Sequence, residues 1–137
     1  MFIESLKVSY PSEGWSLEET KFDRFNLLVG ASGVGKTRIL EAILDLKRIA
    51  TGGDFKESWT SNATFNWDVV FRTVVSGAQF HWSGSLVEVE NRRGESEYLI
   101  SEEEIAEDGR AFLSRRDGKV LFEGKPTVKL KANEGLI

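Results

Sequence analysis

FDRFNLLV (22–29), GASGVGKT (30–37) and RILEAILDLKRIA (38–50) follow one another without interruption. The middle octet satisfies G-x-x-x-x-G-K-[ST], the pattern of a phosphate-binding loop. Glycine at 30, 33 and 35 lets the backbone curl so that its N–H groups point inward at an anion. Lys36 is long enough to reach the β- and γ-phosphates as a point charge. The Thr37 hydroxyl supplies one place in a Mg²⁺ shell. A helix beginning here sets the positive end of its dipole under the same phosphates. The candidate ligand-binding residues are therefore Gly30, Ala31, Ser32, Gly33, Val34, Gly35, Lys36 and Thr37, with Thr37 as the candidate metal ligand.

The flanks carry the context the motif demands. Residues 22–29 form an apolar run of strand length. After the loop, Ile39, Leu40, Ile43, Leu44 and Ile49 recur at helical spacing, with Leu46 and Ala50 on the same broad side. Arg38, Glu41, Asp45 and Arg48 cluster opposite. Thr51-Gly-Gly-Asp54 is a stop signal, so the helix is predicted to end near Ala50. These readings predict an α/β (α+β) fold: a mixed sheet in which the loop joins a central strand to one long helix.

Upstream, Phe2, Leu6, Val8 and Tyr10 alternate as on a half-buried strand, with Glu4 breaking the series. Pro11-Ser-Glu-Gly14 signals a turn, and Trp15 and Leu17 open a second strand before the charged stretch 18–21. Downstream, Phe65, Trp67, Val69, Phe71, Thr73 and Val75 alternate through one long strand that Ser76-Gly77 ends. Gln79–Trp82 and Leu86–Glu90 read as two further strands separated by Ser83-Gly-Ser85. Asn91-Arg-Arg-Gly94, Asp108-Gly109, Asp117-Gly118 and Glu123-Gly124 are turn signals between apolar stretches. The whole reads as one domain, 1–137: strands, loop and helix over 1–50, a connecting loop over 51–62, and an antiparallel β region over 63–131.

The 137 residues suit one modest core. A net charge of −4 advertises no nucleic-acid surface, and the absence of cysteine excludes disulfides and thiolate metal sites. The single histidine, His81, cannot build a histidine-based zinc site alone. No apolar run approaches the ~20 residues of a membrane span, and the N-terminus lacks a signal-peptide pattern. The expectation is a cytoplasmic protein with no membrane partner.

Phe2-Ile-Glu-Ser-Leu-Lys-Val8, Phe25-Asn-Leu-Leu-Val-Gly30, the loop itself and Arg38-Ile-Leu-Glu-Ala-Ile43 together resemble the start of an ABC-type ATPase head. The similarity is to the SMC, RecF and OLD-like groups, including the AAA-type ATPases of bacterial and phage defence systems. Ile100-Ser-Glu-Glu-Glu104 followed by Ala111-Phe-Leu-Ser-Arg115 also resembles their β-subdomain. The resemblance implies the N-terminal lobe of such an ATPase, with ATP and Mg²⁺ as cofactors. It implies Tyr10, Ser12 and Trp15 as contacts for base or ribose, and Arg115 as a nucleotide or interface residue. It implies as partners the C-terminal ATPase lobe, another ATPase subunit or a second copy of the chain, with DNA reached only through the parent protein.

Heads of that kind also carry a glutamine loop, a Ser-Gly signature, an apolar strand ending in Asp-Glu and a switch histidine, none of which appears in these residues. The nearest internal match to the Asp-Glu motif is Tyr98-Leu-Ile-Ser-Glu-Glu103, which has Ser101 where the Mg²⁺-binding Asp would stand. Phosphoryl transfer to water requires Mg²⁺ held from two sides and an oriented water. The sequence supplies the cradle, the lysine and one metal ligand. The expectation is nucleotide binding with little or no hydrolysis by this polypeptide alone. A standalone binding module that pairs with a full-length ATPase, and a small P-loop kinase, are the competing classes. Asn26 reads as a structural hydrogen-bonder, and Arg92 and Arg93 as an exposed turn or a DNA-phosphate contact. His81 reads as an outward strand residue, Trp67 and Trp82 as core or covered surface, and Trp59 as awaiting cover.

Overall fold

A computed structural model describes residues 1–33, 35–52, 64–116 and 118–126. Val34, Trp59 and most of the segment read as a 51–62 loop lie outside the described residues. The chain opens with β1 (Phe2–Tyr10), a single 3₁₀ turn over Pro11–Glu13 and β2 (Trp15–Lys21). Pro11 stands at the first position of that turn, where its missing N–H costs nothing, and Gly14 closes it at φ 64°. Then come α1 (Lys36–Thr51), β3 (Thr64–Arg72), β4 (Gln79–Glu90), β5 (Ser96–Glu107), β6 (Arg110–Arg116), β7 (Lys119–Phe122) and β8 (Lys125–Pro126).

All eight strands lie in one sheet, in the order β2-β1-β3-β4-β5-β6-β7-β8. Each ladder in it is antiparallel. From β3 onward every strand lies beside its successor, as the short hairpin turns dictate. The one non-sequential neighbour is the β1·β3 pair, bridged in the chain by β2 and the helix.

The expected mixed α/β sheet is thereby overturned, together with its assignment to the lobe of a P-loop NTPase. No parallel ladder exists among the described residues, and the β region is not a separate subdomain but the continuation of the same sheet. Residues 22–29 do not form a strand, so the loop does not leave a central strand. The cause is local and also architectural. The Asn26 amide donates to the Asp23 carbonyl (2.6 Å), while its oxygen accepts from the Asp23 N–H (2.9 Å). These short side-chain bonds bend the chain into a turn in competition with a ladder. Phe25, Leu27 and Val29 remain largely exposed, with no neighbouring strand to cover them.

Two smaller expectations change as well. Gln79–Glu90 is one strand, not two, since Gly84 pairs with Trp67 on one side and Glu103 on the other. The long strand ends at Arg72 instead of Val75, because Thr73 N–H bonds to the Ala78 carbonyl and closes a turn.

The core collects Leu6, Val8 and Tyr10 of β1, Phe65, Trp67 and Val69 of β3, and Trp82 and Leu86 of β4, with Ile100 and Ile105 of β5. Ala42, Leu46 and Ile49 of α1 close it from above. Burying each large apolar side chain contributes about 1.5–3 kcal/mol. The helix docks with a different azimuth from the one its apolar spacing predicts. Leu40 and Leu44 are 54% and 51% exposed, whereas Asp45 is buried. Asp45 is admitted because it has partners: Tyr10 donates its hydroxyl to Oδ2 at 2.7 Å, and Arg48 donates to Oδ1 at 2.7 Å.

Candidate functional site

The loop before α1 is shaped by its glycines. Gly30, Gly33 and Gly35 have φ of 154°, 83° and 90°, a region that side chains rarely adopt. A Cβ on Gly33 would meet no atom within 4 Å, so backbone conformation, not space, demands glycine there. Gly35 is the N-cap of α1 and brings no capping side chain, and the first turn holds no acidic residue. The Gly35 carbonyl accepts the first helical bond, from Ile39 N–H at 3.2 Å. The N–H groups of Lys36 and Thr37 precede that bond at the positive end of the dipole.

Lys36 closes the loop. Its ammonium donates to the Gly30 carbonyl at 2.6 Å and the Ala31 carbonyl at 2.5 Å. A cation with three donors thus rests on carbonyls at the loop's mouth. Ala31, Ser32, Gly33 and Thr37 are exposed. The described residues of the 30–37 set thus form a glycine-curled loop, closed by Lys36, that leads into the start of α1.

The sheet side of the site comes from the β1–β2 turn. Trp15 is half-buried, and its Nε1 lies 3.8 Å from where a Cβ on Gly35 would stand. The Arg38 guanidinium sits 4.6 Å over the Tyr10 ring and 5.7 Å from the Trp15 ring. It pairs with Glu13 in the turn and with Glu41 one helical turn on, at 3.2 Å. Tyr10 itself is a core residue. Phe65 packs on it at 4.7 Å between centroids, and burial, followed by the Asp45 hydrogen bond, pushes its phenol well above the ordinary range. Its ring is occupied on both sides by Arg38 and Phe65, leaving Trp15 and the exposed Ser12 as the members of the predicted base-side group that remain accessible.

The other singled-out residues lie elsewhere. Glu103 and Arg115 are buried under the sheet, 3.7 Å apart, with Trp82 Nε1 donating to Glu103 at 2.7 Å. They stand on β5 and β6, with β3 and β4 between them and β1. Glu102 is exposed on the opposite face. His81 Nε2 and Asp68 Oδ1 pair across β3 and β4 at 2.8 Å. Arg92 and Arg93 occupy an exposed turn organised by Asn91, whose Oδ1 accepts the N–H groups of Arg93 and Glu95. A groove of about 610 Å³ is lined by residues of β3 to β7, among them Trp67, Gly84, Glu103 and Arg115, away from the loop. Among the described residues no group of three or more His, Asp or Glu is placed to hold a metal ion. No helix among them is long and apolar enough to cross a membrane.

Sequence reading gave Arg38 only the solvent face of the helix and gave Glu13 no role. Their signal was an opposite-charge pair at the two chain segments that the fold brings against the loop.

No known protein family matches the chain, and neither does any curated protein or any solved structure.

Proposed function

We propose that this chain binds the polyphosphate of a nucleotide, of the ATP class, at the loop of residues 30–37. The observation that carries the reading is Lys36. Its ammonium is folded onto the carbonyls of a glycine-curled loop that leads directly into an uncapped helix N-terminus. Those carbonyls satisfy the lysine within the protein, and an incoming phosphate offers it a charge-assisted bond instead. Thr37, exposed at the helix start, is the residue that would ligate Mg²⁺ together with phosphate oxygens. That ion would neutralise phosphate charge.

The same geometry argues for binding without efficient hydrolysis. Among the described residues, Glu13 and Glu41 are committed to Arg38, and Asp45 is buried and bonded to Tyr10 and Arg48, so none of these three carboxylates is placed to orient a water or to hold Mg²⁺ from a second side. The motif resemblance to ATPases of the SMC, RecF and OLD-like group supports nucleotide binding, although the antiparallel sheet is not the fold of such an ATPase's lobe. A second reading, pairing with another ATPase polypeptide, is favoured by the exposed apolar side chains Phe25, Leu27, Val29, Leu40 and Leu44.

Titration with a fluorescent ATP analogue, with unlabelled ATP as competitor, tests the first reading. Saturable, competable binding is expected, with phosphate release at the buffer background in a malachite-green assay. Absence of competable binding sinks the reading, and Lys36-dependent turnover sinks its non-catalytic half.

A further inference from the structure

We propose that the indole N–H of Trp15, held in place by the Glu13–Arg38 ion pair, is a second side-chain donor to the ligand's phosphates. This rests on the reading of 30–37 as a polyphosphate site and adds to it a residue from a different element.

Three observations converge. Trp15 begins β2, yet its Nε1 reaches to 3.8 Å from the Cβ position of Gly35, the residue that starts α1. The ring contacts of Trp15 are with Tyr10, at 5.7 Å between centroids, and with Arg38, so its ring is held while its nitrogen has no hydrogen-bond partner among the described residues. An indole N–H is a donor only, and this one, half-buried beside Gly35, can exchange a water for a phosphate oxygen. Finally, the ring is fixed from behind. Arg38 bridges the first turn of α1 to Glu13 in the β1–β2 turn, with its guanidinium against both aromatic rings.

The donors sit at opposite ends of the loop. Lys36 rests at Gly30 and Ala31, and Trp15 stands at Gly35. Two donors spaced along the loop suit a chain of phosphates. Arg38 and Glu13 act here as positioning residues, through the ion pair that braces the Trp15 ring.

The test uses the full ¹⁵N-labelled chain, whose spectrum carries the indole N–H signals of Trp15, Trp59, Trp67 and Trp82. Inorganic tripolyphosphate is the probe, and W15F, which keeps a ring and loses the N–H, assigns the signal. The proposal predicts that tripolyphosphate moves the Trp15 indole proton downfield and that W15F weakens tripolyphosphate binding about tenfold. Glu13→Gln is expected to weaken binding less, and to be accompanied by a shifted Trp15 signal in the free protein. Unmoved Trp67 and Trp82 signals in both variants show an intact core. Binding that is lost in K36A while the Trp15 signal stays still and W15F binds normally overturns this proposal alone. Tripolyphosphate binding that K36A leaves unchanged, or no binding at all, overturns the polyphosphate reading with it.

Discussion

At the scale of single residues, position 84 shows how tightly the sheet is closed. A Cβ on Gly84 would stand 2.4 Å from Cζ2 of Trp67 and 2.7 Å from the Glu102 carbonyl. One contact is with a large buried ring and the other with backbone, so neither neighbour yields cheaply. Gly84→Ala is expected to destabilise the fold by about 1–3 kcal/mol, read from the urea midpoint at unchanged slope. Read alone, Gly84 marks a break between strands, because a glycine between serines looks like a turn when the tryptophan that covers it lies on another strand. Glu4 shows a different dependence. The Arg72 hydrogen bond first, and the Gln79 bond second, hold its carboxyl below the ordinary value of 4.5. A depressed folded-state value adds stability above the ordinary value, and that contribution is lost as pH falls through the folded one. Glu4→Gln is therefore expected to flatten the acid side of a Tm-against-pH profile, with the variant and the native chain converging at the lowest pH measured. A larger gap at acid than at neutral pH would contradict that sign.

Among the elements, α1 and the segment before it mark how far the sequence could be read. The helix was legible because Ile39, Ile43, Leu46 and Ile49 keep a helical period and Gly52 ends it in the left-handed conformation at φ 64°. Its orientation was not legible, because apolar residues cover more than one face, and a buried Asp45 paired with Tyr10 selects among them. Leu46→Ala is expected to cost about 2–5 kcal/mol, as a buried truncation, whereas Leu44→Ser is expected to change stability by no more than about 0.5 kcal/mol. Chemical denaturation of both variants checks the docking directly, and equal losses would place the helix at the wrong azimuth. Residues 22–29 mark the opposite case. Their composition is that of a strand, but a strand needs a partner, and the Asp23–Asn26 bonds give the backbone a local alternative. The positive φ values at Gly30, Gly33 and Gly35 were legible from residue type.

For the whole molecule, the turn signals carried most of the topology. Ser76-Gly77, Asn91–Gly94 and Asp108-Gly109 fix adjacent antiparallel neighbours, and the sheet from β3 to β6 follows from them. What they could not show is that β1 and β2 join that same sheet, because the β1·β3 pairing crosses the entire helix in sequence. Among the described residues the result is one antiparallel sheet with a single α-helix on one face, and a loop at the helix start where the β1–β2 turn comes alongside. The apolar side chains left exposed at 25, 27, 29, 40 and 44 lie on the segments immediately flanking that loop. The most direct test of the account is a calorimetric titration of ATP with Mg²⁺ into the native chain and into Lys36→Ala. The account predicts one saturable site in the native chain and its loss in the variant, with both proteins giving the same circular dichroism spectrum. Equal binding by the two, or none by the native chain, would contradict it.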